Sequence, residues 1–199
     1  MEAMRVSGRA SSRDASVRED RVPVSAASAG GFQVLDDGTV VGFRPVSPDD
    51  AVVLSRFHGR LSRRSVYLRY FTGLVRPPSE EKVGDFTNLD RRDGFALVAL
   101  DPDQSEEIIA VVFYVREMGT GRVELACLVE DGWQGKGLGR GLTRELVEVA
   151  RGEGIGQLRG VVLPENTRML NLLRDLDLPK RAYLNNGLVN VELDLETEL

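Results

Sequence analysis

The sequence predicts an α/β layered domain built around a mixed β-sheet. Apolar runs of strand length alternate with longer segments in which apolar residues recur every three or four positions, as on one face of a helix. A glycine-rich turn at residues 134–139 separates one strand-like run from one helix-like run. No segment repeats with a period of about 20–50 residues, which excludes a solenoid.

Two parts of the chain differ in composition. Residues 1–30 are dominated by Ser, Ala, Arg and Gly and lack aromatic residues and periodicity, which predicts a disordered tail. Residues 31–199 carry the periodic segments and form the predicted domain. Its predicted strands are 32–36, 40–45, 94–101, 107–116, 122–130, 156–163, 181–184 and 187–195, and its predicted helices are 49–60, 63–72, 79–84, 138–152 and 165–176.

Local signals mark where these elements begin and end. An Asp-Asp-Gly turn at residues 36–38 joins the first two strands. Ser47 or Asp49 can cap the first helix, because either side chain can accept from free backbone N–H groups. Residues 118–122 predict a glycine-containing turn into the fifth strand. The long helix after the glycine-rich turn is indicated by apolar residues at helical spacing, namely Leu138, Leu142, Leu146 and Val147.

The composition excludes several classes of protein. With 42% hydrophobic and 29% charged residues, the 199-residue chain can bury one substantial core. A net charge of −5 and an isoelectric point near 5.1 argue against a broad nucleic-acid surface. The single Cys127 and single His58 exclude an intramolecular disulfide and a metal cluster built from these residues. No apolar run approaches the ~20 residues of a membrane span, and together with the single cysteine this leads us to expect a cytoplasmic protein, with no metal.

The glycine-rich turn has the properties of an anion cradle. Glycines at 135, 137 and 139 carry no side chain that would keep an anion from the backbone. The helix that follows points its free N–H groups and the positive end of its dipole at the same place. The spacing does not match a dinucleotide fingerprint, and Lys136 lacks the following Ser or Thr of a P-loop. A diphosphate of another kind fits this geometry.

Residues 134–139, Gln-Gly-Lys-Gly-Leu-Gly, resemble the (Arg/Gln)-x-x-Gly-x-(Gly/Ala) signature of the GNAT superfamily of acyl-CoA-dependent N-acetyltransferases. The resemblance extends over roughly residues 32–195. Residues 56–71 are similar to a segment of bacterial Pat-type protein lysine acetyltransferases, which modify acyl-CoA synthetases, and residues 163–173 resemble the superfamily's strand, Asn and fourth helix. The implied fold is a mixed, mostly antiparallel sheet flanked by helices, with splayed strands at the acyl-CoA site.

The resemblance implies acetyl-CoA as co-substrate. The pyrophosphate would bind the glycine-rich turn, and the pantetheine arm would pair with backbone groups freed by the splayed strand. Lys136 and Arg140 are either solvated or offset the phosphate charge. The residues implied to bind acetyl-CoA are Cys127, Val129, Gln134, Gly135, Lys136, Gly137, Leu138, Gly139, Arg140 and Asn166.

Glu124 is the candidate general base. It lies in an otherwise apolar strand, and its position ten residues before Gln134 matches the glutamate that acts as base in Pat-type domains. The alternative for Glu124 is an exposed residue on the polar side of an edge strand. Strand alternation puts Glu130 on the same face, so Glu130 is the second candidate, although acidic residues at a strand end are commonly solvated.

The chain departs from the superfamily where a general acid is expected. Many members carry a tyrosine seven residues after the Asn of the fourth helix, and here that position is Leu173. Tyr183 is only a distant candidate for the acid, and the thiolate can leave unassisted. We interpret His58 as structural and Cys127 as a small buried hydrophobe.

Three functions are compatible with these residues. The first is acetyl transfer from acetyl-CoA to a protein lysine, for example on an acyl-CoA synthetase, favoured by residues 56–71 and Glu124. The second is acetylation of a small amine. The third is a non-catalytic acyl-CoA-binding regulatory module, which the missing tyrosine favours and Glu124 disfavours. The sequence leaves the oligomeric state open.

The tail composition leads to a first prediction. Deleting residues 1–30 leaves the melting temperature and the acetyl-CoA affinity nearly unchanged, because the segment cannot bury enough apolar surface to pack. Thermal melts and calorimetric titration of the full and shortened chains check this. A large drop in melting temperature would contradict it.

Overall fold

The structure is a computed structural model and describes residues 30–71, 87, 90–117 and 119–196. The described residues form an eight-stranded sheet with the strand order β1-β2-β3-β4-β5-β6-β8-β7. The strands are β1 (Gly31–Val34), β2 (Val40–Pro45), β3 (Gly94–Leu100), β4 (Ile108–Arg116), β5 (Val123–Val129), β6 (Gln157–Val162), β7 (Lys180–Asn185) and β8 (Leu188–Asp194). The α-helices are α1 (Ala51–Arg60), α2 (Arg63–Tyr70), α3 (Leu138–Gly152) and α4 (Thr167–Arg174).

Helices cover both faces of the sheet, which divides the core into two parts. On one face, α3 and α4 pack against an apolar cluster that includes Leu142, Leu146 and Leu173. On the other face, α1 and α2 pack against a smaller cluster that includes Phe57 and Val66. Among the described helices, none is long and apolar enough to cross a membrane.

The sheet is mixed and mostly antiparallel, as predicted. Strand β5 pairs with β4 along its whole length, from Val123 opposite Arg116 to Val129 opposite Ala110. On its other side it pairs with the parallel strand β6 at one position, Glu124 opposite Arg159. The two strands therefore separate after their first residues, and the rest of β5 has an unpaired edge toward β6.

The entry into α1 differs slightly from the prediction. Residues Pro48–Asp50 form a short 3-10 turn, and α1 itself begins at Ala51. Of the two predicted caps it is Ser47 that acts, accepting from the Asp49 N–H at 3.3 Å. The buried Asp50 carboxylate accepts from the Ser47 N–H at 2.7 Å and from both terminal nitrogens of Arg44 at 2.7 Å. This charge-assisted pair holds the end of β2 to the start of α1.

Most predicted boundaries agree with the structure within two residues. The predicted helix 165–176 is shorter, because Asn166 caps α4 and Asp175 ends it. The predicted strand 181–184 extends to Lys180–Asn185. The predicted helix 79–84 and the predicted tail, apart from Gly30, lie outside the described residues.

His58 links α1 to α2. Its Nδ1 lies 2.8 Å from the Leu54 carbonyl oxygen, which can only accept, so Nδ1 carries the proton. Its Nε2 lies 2.9 Å from the Tyr70 hydroxyl, which therefore donates to it. Burial lowers the pKa of His58 below its ordinary value, since a charged imidazole would lose solvation. The neutral ring fits the structural role expected for His58.

This burial predicts a pH dependence of stability. The unfolded chain takes up the His58 proton near pH 6.5, whereas the folded chain takes it up only at lower pH. The free energy of unfolding therefore falls as the pH drops below about 6.5, by at most about 1.4 kcal/mol per pH unit for this one proton. Urea unfolding between pH 5 and 7.5 measures this slope, and His58→Gln has a shallower one. Since His58 is the single histidine, equal slopes would contradict the assignment.

Candidate active site

The unpaired edge of β5 presents backbone groups to the gap between β5 and β6. The Glu130 N–H donates to the Ile109 carbonyl oxygen on the β4 side at 2.9 Å. Successive N–H groups of a strand alternate in direction, so the N–H groups of Cys127 and Val129 point toward the gap. The Val129 carbonyl oxygen accepts from Gln134 Nε2 at 2.8 Å. The gap can therefore accommodate an extended, amide-containing ligand beside β5.

The glycine-rich turn leads from β5 into α3 and leaves the first amides of α3 open. Gly135 and Gly137 have φ values of 79° and 84°, in the left-handed region where glycine is favoured. Gly137 is the N-cap of α3, and no side-chain hydrogen bond caps this end within the described residues. The first N–H groups of the 15-residue helix α3 are thus available to an anion.

The three glycines have different roles. A Cβ at Gly135 would meet nothing within 4 Å. A Cβ at Gly139 would lie 3.1 Å from Leu172 Cδ1 and 3.3 Å from Cys127 Sγ, so this glycine lets α3 approach the sheet and α4 closely. At Gly137 the nearest atom is an Asp36 carboxylate oxygen at 2.9 Å. The open face of the turn is therefore at Gly135, whereas the Asp36 carboxylate lies against Gly137.

An acidic turn pairs with the two basic residues of the predicted cradle. In the turn between β1 and β2, Asp36 Oδ1 lies 3.3 Å from a terminal nitrogen of Arg140, and Asp37 Oδ2 lies 3.1 Å from Lys136 Nζ. Hydrogen bonds from Thr39, together with Lys136, lower the pKa of Asp37 to about 2. Sequence reasoning assigned residues 36–38 only a turn, because the partners are about a hundred residues apart. Lys136 and Arg140 are thus already paired within the protein.

Gln134, the first residue of the signature, joins three elements. Its Nε2 donates to the Val129 carbonyl oxygen and, at 3.1 Å, to Ser65 Oγ on α2. Its Oε1 accepts from Arg168 on α4. These contacts hold the start of the turn against β5, and they occupy the Gln134 side chain with protein partners.

Two other residues predicted to bind acetyl-CoA have structural side chains. Leu138 is buried in the core beneath α3, so it can contribute only its backbone N–H. Asn166 Oδ1 accepts from the Met169 N–H at 3.2 Å and caps α4. Capping leaves the Asn166 side-chain amide nitrogen available.

The Glu124 carboxylate lies at the point where β5 and β6 separate. Its strand neighbours on the same face, Ala126 and Leu128, belong to the apolar cluster under α1 and α2. Glu124 is half-buried, and its register partner Arg159 shares this face. No hydrogen bond or ion pair joins its carboxylate to another described residue, which leaves it able to take a proton from a ligand.

Glu130, the second candidate base, is engaged. Arg60 Nε lies 3.1 Å from its Oε2, and a terminal nitrogen of Arg60 donates to Glu107 at 2.7 Å. Arg60 also donates to the Ile108 carbonyl oxygen at 2.7 Å. Glu130 therefore belongs to a network that holds the end of α1 to β4 and β5.

The remaining side chains considered for catalysis are Leu173, Tyr183 and Cys127. Leu173 is fully buried in the core, so no proton donor occupies that position. Tyr183 on β7 donates to Glu192 Oε1 at 2.9 Å. Burial raises the pKa of the Cys127 thiol to about 12, which makes it a poor nucleophile at neutral pH.

A polar group on β6 and β8 was missed by sequence reasoning. Arg159 Nε donates to Asn190 Oδ1 at 3.1 Å, and Asn190 is buried. Glu192 is the register partner of Arg159. The sequence did contain a sign of this group. Its polar residues stand at alternate positions of otherwise apolar strands, and such positions share one face of the sheet, here the face opposite α3 and α4.

Comparisons with known proteins agree with this geometry. A family profile described as an acetyltransferase (GNAT) domain matches residues 41–178. The acetyltransferase PA5475 of Pseudomonas aeruginosa is 31% identical over 139 residues, which are 69% of this chain and 74% of that protein.

Solved structures show the same fold. The GNAT domain of S. lividans PAT superposes with a TM-score of 0.75 at 32% identity, covering 83% of this chain and 96% of that one. YncA from Salmonella typhimurium, solved with its cofactor acetyl-CoA, superposes with a TM-score of 0.63 at 16% identity, covering 80% of this chain and 96% of that one. By its family profile, its sequence relative and its fold, the chain belongs to the GNAT family of N-acetyltransferases.

Proposed function

We propose that this GNAT enzyme transfers an acetyl group from acetyl-CoA to a protein lysine by direct attack, with Glu124 as general base. The observation that carries the proposal is a half-buried carboxylate without a described protein partner, located where β5 and β6 separate. Acetyl-CoA fits the family and supplies an activated thioester. The protein's task is to position that thioester and to deprotonate the amine.

The proposed acetyl-CoA site uses backbone groups more than side chains. The N–H groups of residues 135–140 bind the diphosphate, since Gly135 leaves that surface open and no described side chain caps the start of α3. The Cys127 and Val129 backbone pairs with the pantetheine arm along the unpaired edge of β5. Lys136 and Arg140 interact with the phosphates as well as with the acidic turn at residues 36–38. Asn166 contributes its side-chain amide nitrogen.

Glu124 accepts the proton of the lysine ammonium group, whose removal is the main energetic cost of the reaction. A lysine side chain has a pKa near 10.4, so exposing its lone pair at neutral pH costs about 4–5 kcal/mol. Glu124 accepts the proton, directly or through one water, as the nitrogen forms its bond to the thioester carbon and the carbon–sulfur bond breaks. Because Leu173 occupies the position of the usual tyrosine, the departing thiolate takes its proton from water.

A protein acceptor is favoured by the segment that overlies this face. Residues 56–71, which are similar to Pat-type domains, form the end of α1, all of α2 and the residue after it. The 32% identity to the GNAT domain of S. lividans PAT supports the same assignment. Acetyl-CoA turnover against lysine peptides, acyl-CoA synthetases and small amines tests it, and turnover with small amines alone would overturn it.

The glycine-rich turn is tested by Gly135→Ala. The added Cβ lies in the proposed cradle at a φ of 79° and meets no other atom within 4 Å, so we expect acetyl-CoA affinity to fall about tenfold, ~1.4 kcal/mol. Gly187→Ala is the matched control outside the site, because its φ is also 79° and a Cβ there likewise meets nothing within 4 Å. Both variants lose about 1–2 kcal/mol of stability through the left-handed backbone. Calorimetric titration that finds equal affinities in the two folded variants would rule out this cradle.

The base assignment is tested by Glu124→Gln, which preserves shape and removes basicity. We expect turnover to fall about a hundredfold or more, with acetyl-CoA affinity nearly intact and the acidic limb of the pH–rate profile lost. Glu130→Gln is the matched control and has a much smaller effect on turnover, since its carboxylate pairs with Arg60. Near-normal turnover of Glu124→Gln with an unchanged pH profile would show that another group is the base.

A further inference from the structure

A cleft of about 390 Å³ lies at the opposite end of β5 from the glycine-rich turn. It is formed where β4 ends and where β5 and β6 begin, and Val123, the neighbour of Glu124, is part of its wall. Arg159, the register partner of Glu124, also lines it. The cleft therefore adjoins the backbone position of Glu124, and a ligand in it is separate from one that lies along the other end of β5.

The charge of the cleft is opposite to that of the chain. Its charged lining consists of Arg116, Arg122, Arg159 and one carboxylate, Glu192, in a protein whose net charge is −5. Glycines and the short side chain of Thr120 complete much of the wall, so the guanidinium groups dominate its chemistry. The cleft is thus a local basic region on an acidic protein.

These arginines are weakly neutralised within the protein. No ion pair joins the Arg122 side chain to another described residue. Arg159 donates to the neutral side-chain amide of Asn190, which does not reduce its charge. Arg116 lies 4.0 Å from Glu153, a carboxylate that Arg91 approaches more closely, at 2.6 Å. The guanidinium groups consequently remain available to an anion.

We propose that this cleft binds carboxylates of the acceptor, so that the preferred lysines are flanked by acidic residues; this rests on the function proposed above. Guanidinium groups match carboxylates in shape and charge, and a basic cleft on an acidic protein concentrates acidic ligands at that one place. Extended peptides advance about 3.3 Å per residue, so neighbours of the reacting lysine lie within reach of the cleft. The charge of Arg159 also offsets repulsion between such a carboxylate and Glu124.

Matched peptides test the proposal. One lysine peptide carries Asp and Glu beside the lysine, and its partner carries Asn and Gln at the same positions. We expect kcat/KM to be about tenfold higher for the acidic peptide in low salt, and the ratio to shrink as salt screens the charges. Arg122→Gln brings the ratio close to one without changing the KM for acetyl-CoA. Arg144→Gln, which removes an exposed arginine of α3 outside the cleft, keeps the tenfold ratio.

The outcomes separate this inference from the function on which it rests. Equal kcat/KM for the two peptides, or a ratio that Arg122→Gln leaves at tenfold, overturns the cleft assignment while lysine acetylation stands. Absence of turnover with every lysine peptide overturns both. Arg122→Lys retains the charge without the planar fork and restores part of the ratio, which distinguishes loss of binding from a folding defect.

Discussion

The site depends on the separation of β5 from β6 after the single pair formed by Glu124 and Arg159. A continued ladder would satisfy the backbone of β5 and leave no amide for a ligand. The strands can diverge because their outer contacts hold them independently: β5 pairs along its whole length with β4, and β6 pairs along its whole length with β8. The cost of the unpaired edge is thus offset by two complete ladders, and the proposed general base, Glu124, lies at the point of divergence.

The fold was predictable because its elements are determined mainly by local patterns. The apolar spacing of Leu138, Leu142 and Leu146 is visible within one helix, and all three side chains are buried as that spacing requires. The alternation of β5 correctly put Ala126 and Leu128 on one face with Glu124. The Asp-Asp-Gly turn and the Ser47 cap are likewise short-range signals. The left-handed glycines of the glycine-rich turn, Gly135 and Gly137, are likewise a property of consecutive residues.

The rest of the site depends on contacts between distant parts of the chain. That Glu130 is engaged follows from Arg60, which is seventy residues away from it in the sequence. That Lys136 and Arg140 are already paired follows from the turn between the first two strands. The basic cleft brings Arg159 of β6 to Arg116 and Arg122, which flank the turn between β4 and β5, and no local pattern relates Arg159 to the other two. Periodicity predicts on which face of a helix or strand a side chain lies, but it does not predict which distant residue contacts that side chain.

The protonated state of Cys127 bears on the fate of the acetyl group. A thiol in the strand that borders the gap between β5 and β6 could in principle exchange with a thioester and trap the acyl group on the protein. Burial raises the pKa of the Cys127 thiol to about 12, so the reactive thiolate is scarce at neutral pH. Transthioesterification is suppressed accordingly, and so is alkylation by soft electrophiles. In the proposed acetyl-CoA site, the buried sulfur of Cys127 therefore does not compete with the amine for the acetyl group.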